Sequence, residues 1–441
     1  MRTKPTIGVV GLAGEYEVGF DKALGLTGAC CDALAVSGAD YGGFDIYRTG
    51  IVMHNLESME AAASSLKAAD PDVLVVCVCT WSEDHHLLDL LALVDRPAIL
   101  WAFPDIESGS MCGVHQICAV LTELGVPYGH IYGDPVDEQA AKKALGFAAA
   151  AALEKKMRSV RIGSVGGRIK GMTEIAFDEF EIKKRTGARI VNLDEAELLD
   201  EAEKITDEEA AAEFMAKSLD RFKRASGDQE MLAAMRHYLG MKALIGQYGL
   251  EGIVVKCYPR YMGKICLGYS LLSEEGIVCG CEGDANNTVM MKLLYEITGS
   301  PIHNTDVLYP DPGAGTLLFS HCGSGGFSIA ATQEEILLGP VRLADSGVCS
   351  LFTAKPGVVT LANLVGRGGT MRMGVMVGEA VPTGMEFPGN PLKVRFDKNV
   401  LDINEEIARL GVGHHWMAGY GDVSAALEAF CAMKGIRYIR I

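Results

Sequence analysis

The sequence predicts an α/β protein, with two doubly wound parallel-sheet domains followed by a C-terminal β-barrel-like domain. Three observations carry this expectation. Over residues 6–310, short apolar runs alternate with helical stretches, the pattern of an open parallel sheet. Glycine turns follow the opening strand of each half, at Gly8, Gly11 and Gly14 and again at Gly163, Gly166 and Gly167. Beyond residue 311 the chain changes to short β-rich segments separated by Gly, Pro and Asp, which is typical of antiparallel barrels or sandwiches. At roughly 150 residues per domain, a chain of 441 residues holds three, with expected limits 1–155, 156–310 and 311–441.

Taken in order, the first domain opens on the apolar strand Thr6–Gly11. Its glycines do not make GxGxxG, which argues against a dinucleotide site. Strands are expected over 44–53, 73–80, 98–102 and 126–130, and helices over 56–69, 87–93 and 137–157. Trp81, His85 and His86 fall at the carboxyl end of the strand 73–80, where parallel sheets collect functional groups. Trp81 is a candidate sugar platform; the two histidines read more simply as the start of a solvent-facing helix. The second domain restarts at Arg161–Gly167, whose glycines suit a tight turn better than a phosphate cradle. A helix (178–186), a strand (188–193), a long charged helical region (194–247) and a strand (252–257) follow. The third domain is read from segments 341–343, 348–353, 357–364, 370–379 and 392–395. A final helix, 423–434, and strand, 436–441, close it. No internal repeat appears.

Composition narrows the partners. The net charge is −17 and no basic stripe stands out, so nucleic acid and anionic membrane are poor partners. Apolar runs such as Val73–Val78 are too short to span a bilayer, and MRTKPTIGVVGL reads as a first strand rather than a signal segment. Thirteen cysteines form no CxxC pair and lie mostly in strand-like runs. They are expected to be reduced, buried hydrophobes of a cytoplasmic protein.

The chemistry is concentrated in Cys279–Cys322. Glu282 follows one apolar run, Asp306 follows a helix-like segment, and His321 follows the run Thr316–Ser320. His414-His415, beside Gly413 and Trp416, is a distant fourth element at the end of a glycine loop. Two carboxylates with imidazole suit Mn²⁺, Fe²⁺ or Zn²⁺. Such a set fits an enzyme that moves a proton between C1 and C2 of a sugar. A cation lowers the pKa of the carbon acid, and the two carboxylates, Glu282 and Asp306, would serve as the acid/base pair. Each piece has a plainer use. Asp284 is placed to cap a helix starting near Thr288, Asp306 is a possible turn residue, and a lone His321 on an apolar flank is commonly a core histidine.

Together these residues resemble the L-fucose and L-arabinose isomerase superfamily, in its fucose-isomerase-like branch. The pieces are Lys256-Cys-Tyr-Pro259, Cys281-Glu-Gly-Asp284, Thr305-Asp306, Ser320-His-Cys-Gly323 and Gly413-His-His415. Cys79-Thr-Trp81, Leu100-Trp-Ala102 and Gly166–Met172 also fit, so the similarity covers essentially the whole chain. The resemblance implies Mn²⁺, with Co²⁺ or Fe²⁺ as replacements, held by Glu282, Asp306 and His415, with His321 a further ligand. It implies aldose–ketose isomerisation through an enediol, with Glu282 and Asp306 as the proton-transfer pair. Trp81, Lys256, Arg260, His414 and Trp416 are then expected to bind a small-molecule sugar. It also implies a homo-oligomer, trimeric or hexameric, whose subunits share active sites. The first expectation for the substrate is a free monosaccharide of the fucose or arabinose type. The alternative is an anionic sugar such as sulfoquinovose, whose tail Lys256, Arg260 or Lys264 could face. A non-catalytic sugar-binding protein is the remaining reading.

Overall fold

A computed structural model describes residues 4–38 and 43–441. They form two compact units. One comprises the chain up to Lys156 together with Ala425–Lys434; the other comprises Met157–Ser424 and Gly435–Ile441.

The first unit alternates strand and helix throughout: β1 (Thr6–Leu12), α1 (Ala23–Ser37), β2 (Asp45–Met53), α2 (Leu56–Ala69), β3 (Val73–Val78), α3 (His85–Val94), β4 (Ala98–Ala102), α4 (Ser110–Leu124), β5 (Tyr128–Tyr132) and α5 (Glu138–Met157). The strands pair in parallel in the order β2-β1-β3-β4-β5. Every residue of β3, Val-Leu-Val-Val-Cys-Val, is buried, because helices cover both faces of a central parallel strand. The chain reverses direction across the sheet between β1 and β3. Their carboxyl ends are therefore the crevice of this unit, and Trp81 follows β3 there.

The second unit begins with a smaller parallel sheet. Its elements are β6 (Arg161–Val165), α6 (Glu179–Thr186), β7 (Arg189–Leu193), α7 (Glu195–Glu203), α8 (Asp207–Ala216), β8 (Lys223–Arg224), α9 (Asp228–Tyr248), β9 (Gly252–Val255), α10 (Cys266–Glu274), β10 (Val278–Gly280) and α11 (Ala285–Thr298). The order is β10-β9-β6-β7. The expected helical region 194–247 is three helices, interrupted at 204–206 and again after Ala216, where Ser218 takes a left-handed backbone.

A mixed sheet follows: β11 (His303–Asp311), β12 (Thr316–Ser320), β13 (Leu337–Val341), β14 (Ser346–Leu351), β15 (Gly357–Arg367), β16 (Thr370–Val381), β17 (Leu392–Arg395), α12 (Val400–Leu410), β18 (His415–Tyr420), α13 (Ser424–Lys434) and β19 (Arg437–Arg440). Hydrogen-bonded neighbours run β15-β18-β11-β12-β17-β16, and β16 pairs back to β15, so six strands close a circuit; β19 adds to β16. β13 and β14 form a separate hairpin that β8 extends.

The expected limit at 310/311 falls inside β11, and no compact unit begins there. The physical reason is α11. It is buried on all sides from Ala285 to Leu294 and packs against β9 and β10 as well as β15 and β18. A helix buried all round belongs to one continuous interior. Lys292 is tolerated there because Glu251 (3.0 Å) and Glu296 (2.8 Å) pair with it. The expected C-terminal domain also loses its helix. Residues 425–434 of α13 belong to the first unit, where Ala429 and Met433 pack on the core under β1, β3 and β4.

Candidate active site

The site residues meet because of strand register. In the antiparallel pairs of β11, Asp306 stands directly opposite His415 of β18 on one side and Ser320 of β12 on the other. Directly opposed residues share a face and lie within side-chain reach. Asp306 Oδ1 is 3.8 Å from His415 Nε2. His321, one residue past β12, brings Nε2 to 3.9 Å from Asp306 Oδ2. Glu282 arrives from the carboxyl end of β10, and its Oε2 lies 3.2 Å from His415 Nε2.

Glu282 is held by an uncommon backbone. It adopts φ +64 and Gly283 adopts φ +79, two left-handed residues in succession, which turn the chain sharply between strand and helix. A non-glycine residue there is strained, and such strain concentrates at functional positions. Asp284 then starts α11 by accepting from the Asn287 amide (3.0 Å). Its other oxygen accepts from His415 Nδ1 at 2.8 Å. This bond fixes the ring and turns Nε2 toward Glu282 and Asp306.

Charge is arranged accordingly. Burial alone would raise the Glu282 carboxyl, but the His415 hydrogen bond and the neighbouring imidazoles hold it below the usual range. Burial alone would lower His415; the bonds to Asp284 and Glu282, with the Asp306 charge, push it well above its ordinary value. One positive charge on Nε2 thus satisfies the carboxylates around it.

The same donors suit a divalent cation. Glu282, His414 and His415 offer ligand atoms within 4.8 Å of one another, and so do Asp306, His321 and His415. Asp306 Oδ1 and His321 Nδ1 are buried with no hydrogen-bond partner among the described residues. Buried polar atoms are rarely left so, and Asp306 Oδ1 lies among the clustered donors, 3.8 Å from His415 Nε2. Oxygen with imidazole nitrogen is a borderline donor set, suited to Mn²⁺, Fe²⁺, Co²⁺ or Zn²⁺. The residues fit the metal that the resemblance implies.

A cavity of about 100 Å³ opens on Glu282, Asp306 and His321, and Arg342, Leu343 and Phe387 wall its far side. The sequence offered no strand at 337–340 and read one at 341–343. The strand instead ends at Val341, and residues 342–345 form the hairpin turn that brings Arg342 to the cavity. Nothing in a lone arginine could have signalled this. Glu174 was also missed; its carboxylate pairs with His414 Nδ1 at 2.5 Å.

The expected sugar-binding residues are scattered. Trp416 is fully buried in the core beneath the mixed sheet. Successive strand residues face opposite ways, so His415 in the site requires Trp416 in the interior, beyond reach of a sugar. Lys256 and Arg260 do not line the cavity. Both pair with Glu195, at 3.3 and 3.4 Å. Trp81 lies in the first unit, part-exposed, with its indole nitrogen donating to Gln116 at 2.9 Å. His86 is buried rather than solvent-facing, while His85 is exposed, as expected. Asp284 does cap its helix, and it anchors His415 as well. Cys77, Cys79, Cys279 and Cys281, in the strand-like runs, are free thiols. No helix among the described residues is long and apolar enough to cross a membrane.

Residues 28–158 match the family domain described as fucose/sulfoquinovose isomerase, N-terminal domain, which ends close to the limit of the first unit. The sulfoquinovose isomerase of Priestia aryabhattai is 22% identical over 387 residues, covering 85% of this chain and 87% of the relative. That of Alkalicoccus urumqiensis is 24% identical over 391 residues, with 85% and 87% covered. That of Clostridium sp. (strain MSTE9) is 23% identical over 397 residues, with 86% and 88% covered. A periplasmic binding protein of an arabinose transporter from Shewanella sp. ANA-3 aligns at 14% identity, over 65% of this chain and 85% of its own, with a TM-score of 0.17, too low to bear on the fold. Most of the chain thus aligns with sulfoquinovose isomerases, and its first unit carries the match to a fucose/sulfoquinovose isomerase N-terminal domain.

Proposed function

We propose that this chain is an aldose–ketose isomerase acting on an anionic aldose of the sulfoquinovose type. The observation that carries the chemistry is the convergence of Glu282 and Asp306 on His415 Nε2, at 3.2 and 3.8 Å. The relatives' names favour the charged sugar over the neutral fucose or arabinose type. They also speak against a non-catalytic binding protein, which has no use for paired carboxylates.

Isomerisation removes a proton from C2 of the aldose, passes through an enediol and returns the proton to C1, while a second proton moves from O2 to O1. Glu282, kept ionised at neutral pH, is competent to take and return the carbon-bound proton. Asp306, beside it and facing the same cavity, handles the proton on the oxygens. His415, locked by Asp284, keeps the two carboxylates together. A divalent cation, Mn²⁺ first and Co²⁺ or Fe²⁺ as substitutes, held by Glu282, Asp306 and His415 with His321 beside them, would supply the positive charge that makes the carbon acid stronger. Buried free thiols such as Cys77 and Cys279 support a reducing, cytoplasmic setting, and the family resemblance supports a homo-oligomer with shared sites.

The test is turnover of sulfoquinovose with Mn²⁺, read as ketose formation by NMR beside L-fucose and L-arabinose. Ketose is expected from the sulfonated sugar, and Glu282→Gln should lose about 10³-fold in kcat while remaining folded. Turnover of the neutral sugars alone would restore the fucose-type reading. No turnover of any aldose, or a fully active Glu282→Gln, would overturn the assignment.

A further inference from the structure

We propose that Arg342 reads the anionic group at C6 of the sugar and so sets the enzyme's preference for charged aldoses. This rests on the anionic-sugar reading above and names the residue responsible.

The cavity has a charge axis. Glu282, Asp306 and His321 line it, and Arg342 is the one arginine or lysine among the lining groups. His415, and the cation the carboxylates would hold, already balance Glu282 and Asp306, whereas Arg342 has no paired carboxylate among the described residues, so an anionic tail is drawn to Arg342 and leaves C1 and C2 toward the carboxylates. The volume points the same way. About 100 Å³ is well below the roughly 300 Å³ of small ligand sites, so a sugar standing on the carboxylates projects toward solvent, and Arg342 is exposed where His321 is buried.

The guanidinium is available and positioned. No carboxylate pairs with it among the described residues; its contact is the face of Phe387, 4.8 Å from the ring centroid. Stacking orients the plane and leaves the edge donors free for two parallel bonds to sulfonate or phosphate oxygens. Its backbone is held by the hairpin turn, in which Ala344 and Asp345 both donate to the Val341 carbonyl, at 3.1 and 2.8 Å. The other basic candidates are engaged elsewhere. Glu195 holds Lys256 and Arg260, and Lys393 pairs with Glu386.

The test compares wild type, Arg342→Ala and Arg342→Lys on three hexoses that differ at C6: sulfoquinovose, its neutral 6-deoxy counterpart and glucose 6-phosphate. For Arg342→Ala, the ratio of kcat/KM for sulfoquinovose over the neutral sugar should fall roughly 10- to 100-fold, the size expected for a charged hydrogen-bonding pair. The loss should lie mainly in KM, because the contact is remote from the reacting carbons and binds ground and transition states alike. Arg342→Lys should recover part of it, through charge without the fork. Comparable dependence on Arg342 for the phosphate sugar identifies a general tetrahedral-anion reader; dependence confined to the sulfonate identifies a sulfonate-specific one. If wild type isomerises sulfoquinovose and Arg342→Ala keeps the same ratio, the assignment of Arg342 fails while the substrate reading stands. If wild type shows no turnover of sulfoquinovose, the substrate reading fails and the role of Arg342 falls with it.

Discussion

Asp284 carries two tasks on one carboxylate. One oxygen starts α11 by accepting the Asn287 amide, and the other fixes the His415 ring. The first task needs only an acceptor, and Asn serves at an N-cap about as well as Asp. The second needs an anion, because the acceptor on Nδ1 sets the tautomer and basicity of Nε2. Asp284→Asn should therefore separate the two. Helix α11 should stay capped, while the metal-free protein loses stability as the buried His415 loses its anionic partner, and apparent Mn²⁺ affinity falls about 10- to 100-fold. Titration of activity against Mn²⁺ checks it. An unchanged metal affinity would deny Asp284 any part in orienting His415 for the metal.

At the scale of elements, the turn from β10 to α11 decides where Glu282 points. A Cβ on Gly283 would lie 2.1 Å from the Gly167 carbonyl oxygen and 2.6 Å from Arg168 Cα, at φ +79. Neither neighbour is a flexible side chain. Gly283→Ala should cost about 3 kcal/mol, from left-handed strain and forced displacement together. It should also lower kcat in the protein that remains folded, since the adjoining residue is Glu282. Chemical denaturation alongside activity per folded molecule would show both; full activity at a lowered midpoint would free Glu282 from dependence on this turn. The glycines marking this turn and the turn at 166–167 stand out in the sequence, but that one packs on the other does not. The same limit recurs elsewhere. The runs that became β3, β4 and β12 were legible because strands buried on both faces leave continuous apolar stretches. Helices α1, α4 and α10 were not, since their apolar residues are spread round the helix or interrupted by small ones. The stretch that forms α12 was left unassigned although Val400, Ile403, Ile407 and Leu410 repeat at helical spacing. Glu282, Asp306 and His321 could be found because each ends or adjoins an apolar run. That Asp284 would meet His415, 131 residues away, depends on a strand pairing with no local signature.

At the scale of the whole molecule, the donors are unevenly distributed. Glu282, Asp306, His321 and His415 all lie in the second unit, and the first contributes none of them. A ligand stabilises the state that binds it, by about 2.7 kcal/mol at a hundred times its dissociation constant. The gain falls on openings that break the site, while openings elsewhere are unaffected. Adding Mn²⁺ to chelator-treated protein, without sugar, should therefore slow hydrogen exchange in β10, the start of α11, β11 and β18. It should leave β1, β3 and β4 as they were. Glu282→Gln should blunt the effect, because the loss of one anionic ligand weakens the site without dismantling the strands that carry it. Exchange followed by mass spectrometry resolves the two units from one sample. Protection spread evenly over both units, or protection equal in Glu282→Gln and wild type, would mean that the cation is held somewhere other than at the meeting point of β10, β11 and β18.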